Sequence, residues 1–369
     1  MGDNITVSKI KNKKNNHFIP YSISNKWGFI PQEKQFGEGN AYSKTNKATN
    51  YIVEPNAFAY NPARINVGSI AYQNNLFPVI VSSLYEIFKT KKNLNDKFLM
   101  NWFKTEKFTR QIQKLQEGGV RQYFFIDKMQ ESRITIPSIS EQEEISKALD
   151  QINNLINLQQ RKAKQLKLLK KAMLQDLFTD KNVPKLRFNG FDANWIQCKL
   201  EKEALLTMGQ SPSGSTYSDQ PSTYILVQGN ADLKNGWVKP RIWTTQITKL
   251  AKKGDIIITV RAPAGKVGRT NFDVVLGRGV ASIQGNDFIF YLLSKMDINK
   301  YWKKYAAGST FESINSNDIK NTRVHVPNLS EQNRIANLFL RLDDLIRFQQ
   351  NKLNNLQKTK QFLFQNMFI

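Results

Sequence analysis

The chain has 369 residues, of which 40 % are hydrophobic and 11 % aromatic, a composition that supports two or three folded domains and excludes wholesale disorder. It carries 54 lysines and arginines against 30 acids, and the net charge of +24 favours a polyanionic partner, although a lysine-rich, AT-biased genome is an alternative source of the charge. One cysteine, Cys198, and two histidines exclude an intrachain disulfide framework and a four-ligand zinc site, and they favour a reducing cytoplasm.

Residues 1–139 predict a first domain of mixed α and β structure. The stretch "FAYNPARINVGSIA" at residues 58–71 is typical of two strands interrupted by a proline and a glycine-containing loop. The chain opens without an apolar signal-peptide core, and no run approaches the ~18 apolar residues of a membrane span.

Residues 140–180 predict a long helix. Apolar residues recur with alternating spacings of four and three, which is the pattern of a coiled-coil helix. Ser140 is the expected N-cap and Glu143 completes a capping box, while Pro137 prevents an earlier start. Such a helix of ~38 residues spans ~57 Å. Its expected seam positions include Ile145, Leu149, Ile152, Ile156, Leu166 and Met173.

Residues 181–329 predict a second domain related to the first. Within it, "IITVRAPAGKVGRT" at residues 257–270 matches residues 58–71, and both stretches carry a Val-Gly pair after a proline. The match is loose, and it indicates two domains of similar plan with different loop residues.

Residues 330–369 predict a second long helix that repeats the first at a distance of 190 residues. "VPNLSEQNRI" at residues 326–335 repeats "IPSISEQEEI" at residues 136–145, and Ser330 is its expected cap. Neither helix can bury its row of apolar residues alone, so each is the expected partner of the other. The alternative is two unrelated surface helices packed on separate domains. The seam positions here include Ile335, Phe339, Leu342, Ile346, Leu356 and Leu363. Two polar interruptions, Gln159/Gln349 and Lys170/Lys360, recur in both copies and are expected to fix the register.

Two variable domains, each followed by a near-identical long helix that begins with Ile/Val-Pro-x-Ile/Leu-Ser-Glu-Gln, resemble the specificity (S) subunit of a Type I restriction-modification system. "VPKLRFNGFDANWIQCKL" at residues 183–200 is similar to the usual opening of a recognition domain in this family. "YNPARINVGSI" at residues 60–70 is similar to a target-recognition segment. The resemblance covers essentially the whole chain.

The resemblance implies an α+β fold with two target-recognition domains, each followed by a long helix, and with the two helices paired as an antiparallel coiled coil. It implies a non-catalytic subunit without cofactor or metal, which reads a bipartite target in double-stranded DNA. The implied protein partners are two methyltransferase (M) subunits, which bind S-adenosylmethionine and methylate adenine, and restriction (R) subunits, with no membrane association.

One departure from the family pattern concerns the opening of the first domain. In the second half about forty residues, 184–223, precede the strand "YILVQGN", whereas the first half starts almost at its apparent counterpart, "NITVSKIK". The opening segment of the first domain is therefore expected to be missing, through a late start codon, a truncated gene or natural trimming. The alternative function is accordingly a truncated or inactive specificity subunit that retains partial DNA binding.

Catalytic motifs are broken or absent. In "VRAPAGKVG", Val260 stands where a P-loop requires its first glycine. "NPAR" at residues 61–64 departs from the Asn-Pro-Pro-aromatic motif of adenine methyltransferases, and His325 is expected to be an ordinary strand residue. A fused methyltransferase-nuclease and a coiled-coil scaffold without DNA specificity are the rival functions.

Side-chain donors and acceptors read base edges, while lysine and arginine on phosphates set position. Arg64 is expected to fork onto guanine and Asn61 or Asn66 onto adenine, although each candidate is alternatively an ordinary surface charge or turn residue. The expected DNA contacts of the first domain are Ser8, Lys9, Lys11, Tyr60, Asn61, Arg64 and Asn66. Those of the second domain are Gln228, Asn230, Lys234, Arg261, Lys266, Arg269 and Arg278.

Overall fold

The computed structural model describes residues 1–14, 16–37, 47–118, 122–306 and 313–368, and the chain divides into two compact units. The first unit comprises residues 1–160 and 352–369, and the second comprises residues 161–351. Each unit contains a domain of mixed helices and strands together with parts of two long helices. The α+β class expected from the sequence is therefore confirmed.

The first unit is built from short strands. They are β1 (Ile5–Val7), β2 (Tyr21–Ser24), β3 (Gly28–Pro31), β4 (Tyr51–Val53), β5 (Phe58–Tyr60), β6 (Ile70–Tyr72), β7 (Val79–Val81) and β8 (Glu86–Thr90). The main sheet is antiparallel in the order β1-β8-β5-β6, while β2 pairs with β3 and β4 with β7. Phe58 and Phe88 stack in its core with 5.1 Å between ring centroids, a contact typical of neighbouring aromatic residues in a sheet.

The helices of the first unit complete this aromatic core. They are α1 (Gln32–Phe36), α2 (Asp96–Trp102), α3 (Glu106–Leu115), α4 (Ile126–Glu131) and the first part of the long helix α5 (Ile139–Leu177). Asn95 caps α2 by accepting hydrogen bonds from the backbone N–H groups of Lys97 and Phe98. Phe98 is buried in the same cluster as Phe58 and Phe88, so α2 is fixed against the sheet by both its cap and its apolar face.

The strands of the second unit form two larger sheets. They are β9 (Ile196–Lys199), β10 (Leu205–Met208), β11 (Tyr217–Ser218), β12 (Tyr224–Val227), β13 (Leu233–Lys234), β14 (Trp237–Val238), β15 (Ile242–Thr244), β16 (Leu250–Ala251), β17 (Ile256–Thr259), β18 (Val267–Arg269), β19 (Val274–Leu276), β20 (Val280–Gln284) and β21 (Arg323–Val326). One sheet has the order β10-β20-β17-β18-β14-β13 and the other β11-β15-β12-β19-β16, while β9 pairs with β21. The run "IIIT" of β17 is wholly buried, as expected of a strand covered on both faces.

The helices of the second unit follow its sheets. They are α6 (Asp287–Ile298), α7 (Lys303–Ala306), α8 (Ser316–Lys320) and the first part of the second long helix, α9 (Leu329–Asn366). Phe288 and Leu293 of α6 are buried in one cluster with Ile256 and Ile258 of the sheet. Trp195, just before β9, packs against Phe288 with 5.6 Å between ring centroids, so the segment that opens this domain belongs to its core.

The two long helices pack against each other inside each unit. In the first unit Leu149, near the start of α5, shares an apolar cluster with Leu363, near the end of α9. In the second unit Leu177, at the end of α5, shares a cluster with Phe339, near the start of α9. The helices run in opposite directions in both units, which confirms the expected antiparallel pairing.

The expected seam is the buried face of both helices. The buried positions are Ile145, Leu149, Ile156, Ile335, Phe339 and Leu342, and the half-buried ones are Ile152, Leu166, Met173, Ile346, Leu356 and Leu363. At the second polar interruption, the Lys170 ammonium lies 2.5 Å from Asp343 Oδ1, and the Tyr291 hydroxyl donates to Asp343 Oδ2 at 2.8 Å. This network inside the second unit gives α5 a single register against α9 there.

The helix caps differ from the expectation. Helix α5 begins at Ile139, and its cap is Ser138, whose hydroxyl oxygen accepts from the Glu141 backbone N–H at 3.3 Å. Helix α9 is capped by Asn328, which accepts from the Glu331 N–H at 2.9 Å. Ser140 and Ser330 are therefore not the caps, because each helix starts as soon as its preceding proline allows.

The glutamine of the Ser-Glu-Gln motif ties each long helix to its domain. The Gln142 amide donates to the carbonyl oxygens of Pro137 and Asn93 at 2.9 and 3.0 Å, and it accepts from the Asn95 N–H at 2.8 Å. Gln332 donates to Pro327 O at 3.0 Å and accepts from the Asn286 side chain at 2.7 Å. Asn95 and Asn286 are the N-caps of α2 and α6, so each glutamine joins the start of a long helix to the start of a domain helix.

Strand pairing corrects the expected alignment of the two halves. Strand β1 pairs with β8 just before α2, and β10 pairs with β20 just before α6. The counterpart of "NITVSKIK" is therefore β10, and the expected match to "YILVQGN", which is β12, is wrong. In this alignment the residues of the second half that precede the correspondence are 181–199, which include β9, and not the forty residues 184–223.

Candidate nucleic-acid interface

One end of the main sheet in the first unit gathers several loops. Tyr60, the last residue of β5, pairs with Glu86, the first residue of β8, so the loops at 61–69 and 82–85 lie at the same end. The β2–β3 hairpin joins them, because the Ser69 hydroxyl donates to Ile23 O at 3.0 Å. We call this set of loops, with residues 25–27 and 8–11, the first loop end.

A pocket of about 170 Å³ opens at the first loop end. The polar residues that line it include Ser24, Asn25, Gln35, Asn61 and Arg64. The Arg64 side chain is exposed and makes no ion pair with any residue that the structure describes. An unengaged guanidinium beside amide and hydroxyl groups provides the donors and acceptors that distinguish base edges.

Hydrogen bonds hold the loop that carries Arg64. The Asn61 side-chain oxygen accepts from the Ala63 N–H at 3.0 Å, and the Ser69 N–H donates to Arg64 O at 3.1 Å. Gly68 closes the loop with φ of +84°, a left-handed conformation that favours glycine. Arg64 and Asn66 therefore project from a fixed turn into solvent, as the sequence-based hypothesis requires.

The residues after β1 lie at the same end. Lys9 forms an ion pair with the buried Glu86 carboxylate at 3.1 Å, so part of its charge is engaged within the unit. Ser8 is half-buried and donates its backbone N–H to Ile87 O at 2.9 Å. Lys11 is exposed next to Tyr51, with which it forms an isolated bridge.

Tyr60 differs from the expectation, because its side chain is completely buried. Burial first, and the nearby Glu86 carboxylate second, raise the pKa of its hydroxyl. Its ring lies 6.4 Å from that of Phe88. Tyr60 is therefore a core residue that supports the loop, and the direct DNA contact expected for it is wrong.

The second unit has a comparable loop end, formed where β10, β12, β17 and β19 stop. A Cβ atom on Gly279 would lie 2.1 Å from Gln228 O, and one on Gly209 would lie 2.1 Å from Gly277 O. Only glycine allows these backbones to approach so closely. The loops at 209–215, 228–230 and 277–279 are thereby brought together, and the Val260 N–H, which donates to Gly279 O at 2.9 Å, adds the loop at 261–266. We call these four loops the second loop end.

Four of the expected contacts of the second domain lie at the second loop end. Arg261, Arg278 and Asn230 are exposed, and Gln228 is half-buried. The buried Asp232 carboxylate accepts from the backbone N–H groups of Gln228 and Gly229 at 2.7 and 3.2 Å, which fixes the turn. The second loop end therefore presents two arginine and two amide side chains on loops at the ends of the strands.

The other three expected contacts lie elsewhere or are already engaged. Lys266 Nζ is 2.8 Å from Asp297 Oδ1, and Arg269 Nη2 is 2.6 Å from Asp287 Oδ1, with the guanidinium over the Phe290 ring. Arg269 lies at the opposite end of β18 from the loop at 261–266, and Lys234 ends β13 beside it. The roles expected for Lys266 and Arg269 as free DNA contacts are therefore not supported by their surroundings.

Several loop-end residues were not found from the sequence. Trp27 at the tip of the β2–β3 hairpin is 66 % exposed, and Lys26 Nζ lies 4.6 Å from its ring centroid. Ser24, Asn25 and Gln35 line the pocket beside Arg64. The available signal was the short turn "SNKW" between two strand-like runs, which is typical of a hairpin.

The outward faces of the long helices repeat an exposed apolar pair. Leu155 and Leu158 of α5 are 44 % and 55 % exposed, and Leu345 and Phe348 of α9, 190 residues later, are 49 % and 62 % exposed. Residues three apart share one helix face, so each pair forms a small apolar patch outside the seam. We call these the outer pairs.

The stretches that the structure describes contain no group of three or more His, Cys, Asp or Glu side chains placed to hold a metal ion. No helix within them is long and apolar enough to cross a membrane.

Known proteins match the chain in both sequence and fold. The family model for the Type I restriction modification DNA specificity domain matches residues 3–168 and again residues 207–358. A protein of Methanocaldococcus jannaschii described as the MjaX type I restriction enzyme specificity subunit is 29 % identical over 71 % of this chain, and the chain spans 64 % of that relative's length. The MjaVIII specificity subunit of the same organism is 22 % identical over 76 % of this chain and 71 % of its own length.

Solved structures share the fold. The HsdS subunit from Thermoanaerobacter tengcongensis covers all of this chain with a TM-score of 0.57 at 20 % identity, over 95 % of its own length. The type I restriction-modification S subunit from M. genitalium does so with a TM-score of 0.59 at 11 % identity, over 94 % of its own length. The duplicated match of the family model, in the two halves that the structure builds on one plan, shows that this chain belongs to the Type I restriction modification DNA specificity domain family.

Proposed function

We propose that this chain is the DNA-recognition subunit of a Type I restriction-modification complex and that it reads a bipartite target. The observation that carries the proposal is the occurrence of a rigid, polar loop end in each unit, with different side chains in the two units. Two different reading surfaces in one chain are what a two-part sequence requires. The net charge of +24 supports DNA as the partner, since each neutralised phosphate releases counterions.

At the first loop end, Arg64 reads guanine through its fork of donors, with Asn61, Asn66, Asn25 and the other pocket amides beside it. Further contacts, to the phosphate backbone of the DNA, come from Ser8, Lys9 and Lys11. At the second loop end, Arg261 and Arg278 are the candidate base readers, with Gln228 and Asn230 as candidates for adenine. Because the first loop end carries its own pocket and a held Arg64, we favour a functional first reader over a truncated subunit with partial binding.

The paired helices space the two readers and dock the catalytic partners. The outer pairs support this role, because two copies of one apolar patch suit two copies of one partner, the methyltransferase subunit. The chain supplies recognition and those partners supply chemistry, with restriction subunits as further members of the complex. The boundaries 1–139, 140–180, 181–329 and 330–369 remain our proposed functional division, and the cytoplasm our proposed location.

The first experiment is a methylome. The chain is co-expressed with its methyltransferase subunit, and N6-methyladenine is mapped across the host genome by single-molecule sequencing. We expect a split motif with two defined halves and a fixed spacer. Methylation at a single short half-motif would instead support a truncated reader, and methylation without sequence preference would refute recognition by this chain.

A second experiment tests the docking surface. Leu155→Asp and Leu345→Asp are each expected to lower the bound methyltransferase subunits from two to one, since each removes one outer pair. Leu168→Asp is the matched control, because Leu168 is 57 % exposed on α5 while position 358 on α9 is a lysine. Native mass spectrometry gives the stoichiometry, and equal effects of all three variants would refute specific docking at the outer pairs.

A further inference from the structure

Strands β2 and β3 form a two-stranded ribbon, a sheet of their own in the first unit. Their pairing ends with Ser24 opposite Gly28, which leaves residues 25–27 as the tip of the ribbon. The body of the ribbon is packed, because Ile23 is buried in one cluster with Ala59 of the main sheet, whereas all three tip residues are exposed. The ribbon is therefore anchored along its length and open at its tip.

The tip lies against the loop that carries Arg64. A Cβ atom placed on Gly68 of that loop would lie 3.7 Å from the Asn25 Cβ atom, and Asn25 and Arg64 line the same pocket. The Ser69 hydroxyl, which donates to Ile23 O at 3.0 Å, ties the strand before the tip to the same loop. A ligand that reaches Arg64 therefore also meets the tip of the ribbon.

Trp27 is the most exposed of the six tryptophans in the chain, with 66 % of its surface accessible. Its position is held, because the Ser24 hydroxyl oxygen accepts from the backbone N–H groups of Lys26 and Trp27 at 3.2 and 3.3 Å. The Lys26 ammonium lies 4.6 Å from the ring centroid, which is the distance of a cation–π contact. Tryptophan supplies a large contact area at a small cost in entropy, and it is enriched among the residues that dominate binding.

The major groove of DNA is the partner surface that fits this tip. The groove is ~12 Å wide and admits a two-stranded ribbon, whose strands lie ~4.8 Å apart. Lys26 and Arg64 place positive charge at the tip and beside it, and neither the tip nor the loop at 61–69 contains an acidic residue. Within the major groove, the 5-methyl group of thymine is the feature that an apolar side chain recognises.

We propose that the tip of the β2–β3 ribbon enters the major groove of one half-site and that Trp27 recognises a thymine there through its 5-methyl group. The inference rests on the proposed function, since it places Trp27 in the groove in which Arg64 reads guanine. Arg64 and Asn61 supply hydrogen bonds to base edges, and Trp27 supplies the apolar contact that those side chains cannot make. Trp27 is thus a specificity-determining residue of the first reader.

The test compares thymine with uracil, which lacks only the 5-methyl group. The full chain, in complex with its methyltransferase subunits, is titrated with duplexes that carry its target, in which each thymine of both half-sites is replaced in turn by deoxyuridine. We expect one position at which uracil weakens binding of the unsubstituted chain roughly fourfold, the effect of one buried methyl group. That position should lie in the half-site whose preference Arg64→Ala relaxes.

The substitution Trp27→Ala completes the comparison. It should weaken the thymine duplex by at least as much as uracil does, and uracil at the critical position should then have no further effect, because the partner of the methyl group is already gone. Trp27→Phe keeps an apolar ring and should retain part of the difference between thymine and uracil. This second variant separates loss of the contact from loss of the fold.

Trp237→Ala is the matched control. Trp237 is also exposed next to a short turn, but its strand pairs it with Arg269, at the end of β18 opposite to the loop at 261–266. This variant should leave the difference between thymine and uracil unchanged at every position. A loss equal to that of Trp27→Ala would overturn the inference.

Other outcomes would also overturn it. An equal effect of uracil on the unsubstituted chain and on Trp27→Ala would refute the thymine contact and leave the proposed function in place. Uniform weakening of Trp27→Ala on all DNA would mean a contact with the sugar-phosphate backbone, which carries no sequence information. Loss of methyltransferase subunits from Trp27→Ala would assign the ring to a protein contact. Absence of any half-site preference in the unsubstituted chain would refute the proposed function and this inference with it.

Discussion

Replacing Arg187 by alanine tests how the second domain is held to its long helix. The Arg187 side chain lies against α9, where Nε and Nη2 donate to the two Glu331 oxygens at 2.8 Å, and Nη2 also donates to Ala193 O at 2.6 Å. The Glu331 side chain is 1 % exposed and that of Arg187 is 14 % exposed. The substitution therefore leaves a carboxylate in the protein interior without its counter-charge.

The expected cost follows from that burial. Removing one partner of a buried ion pair costs about 3–5 kcal/mol, because the remaining charge has lost its water and gained no partner. Since Arg187 keeps some contact with solvent, we expect a loss at the lower end of this range, about 3 kcal/mol in the free energy of unfolding. For a unit of this size, about 3 kcal/mol corresponds to a fall in Tm of roughly 6–12 °C.

Urea unfolding followed by tryptophan fluorescence measures the change, because Trp195 lies within the affected segment and is buried. Glu141→Ala is the matched control at the equivalent site of the first unit, where the carboxylate is exposed, and it should cost no more than ~0.5 kcal/mol. The double variant Arg187→Met with Glu331→Leu should recover most of the loss, since it buries no charge. A loss below ~1 kcal/mol for Arg187→Ala would refute this account of the ion pair.

Three further outcomes are expected. Arg64→Ala should cost ~1–3 kcal/mol of DNA-binding free energy on one half-site and relax the sequence preference there in binding competition. Replacing Arg110, an exposed arginine on α3, by alanine should leave the preference intact. Uniform weakening on all DNA would identify Arg64 as a phosphate contact. Tyr60→Phe should leave DNA affinity unchanged in the same assay, because the hydroxyl is buried; a loss on one half-site would contradict the core assignment. Inserting one heptad after Lys162 and one after Gln350, positions that the ion pair between α5 and α9 places opposite each other, leaves both outer pairs in place. It should lengthen the DNA spacer by about three base pairs, as ~10 Å of helix at ~3.4 Å per base pair requires, with both half-sites unchanged in the methylome.

The long helices were predictable because their signal is periodic and local. Alternating spacings of four and three place Leu149 and Phe339 on a seam, and no competing structure accommodates that pattern over five heptads. The cap positions were not predictable to the residue. Ser138 and Ser140 both precede the apolar run, and only the geometry of the turn after Pro137 distinguishes them.

The site was predictable only in part. Asn61, Arg64 and Arg278 follow strands at glycine-containing turns, so sequence alone placed them on loops. Lys266 and Arg269 have the same local appearance, and only their distant partners Asp297 and Asp287 show that their charges are engaged. Contacts between residues far apart in the chain leave no local signal, which is also why the pairing of Arg187 with Glu331 was missed.

The glutamine of the Ser-Glu-Gln motif also affects how such a protein can diversify. Gln142 holds the first domain through the backbone atoms of Asn93, Asn95 and Pro137. Because these hydrogen bonds are made to main-chain atoms, they place little constraint on which side chains the first domain carries. Under the function that we propose, such a joint would let the first reading domain be exchanged between relatives by recombination at the repeated helix start, and a new target specificity would arise in one step while the long helices are inherited intact.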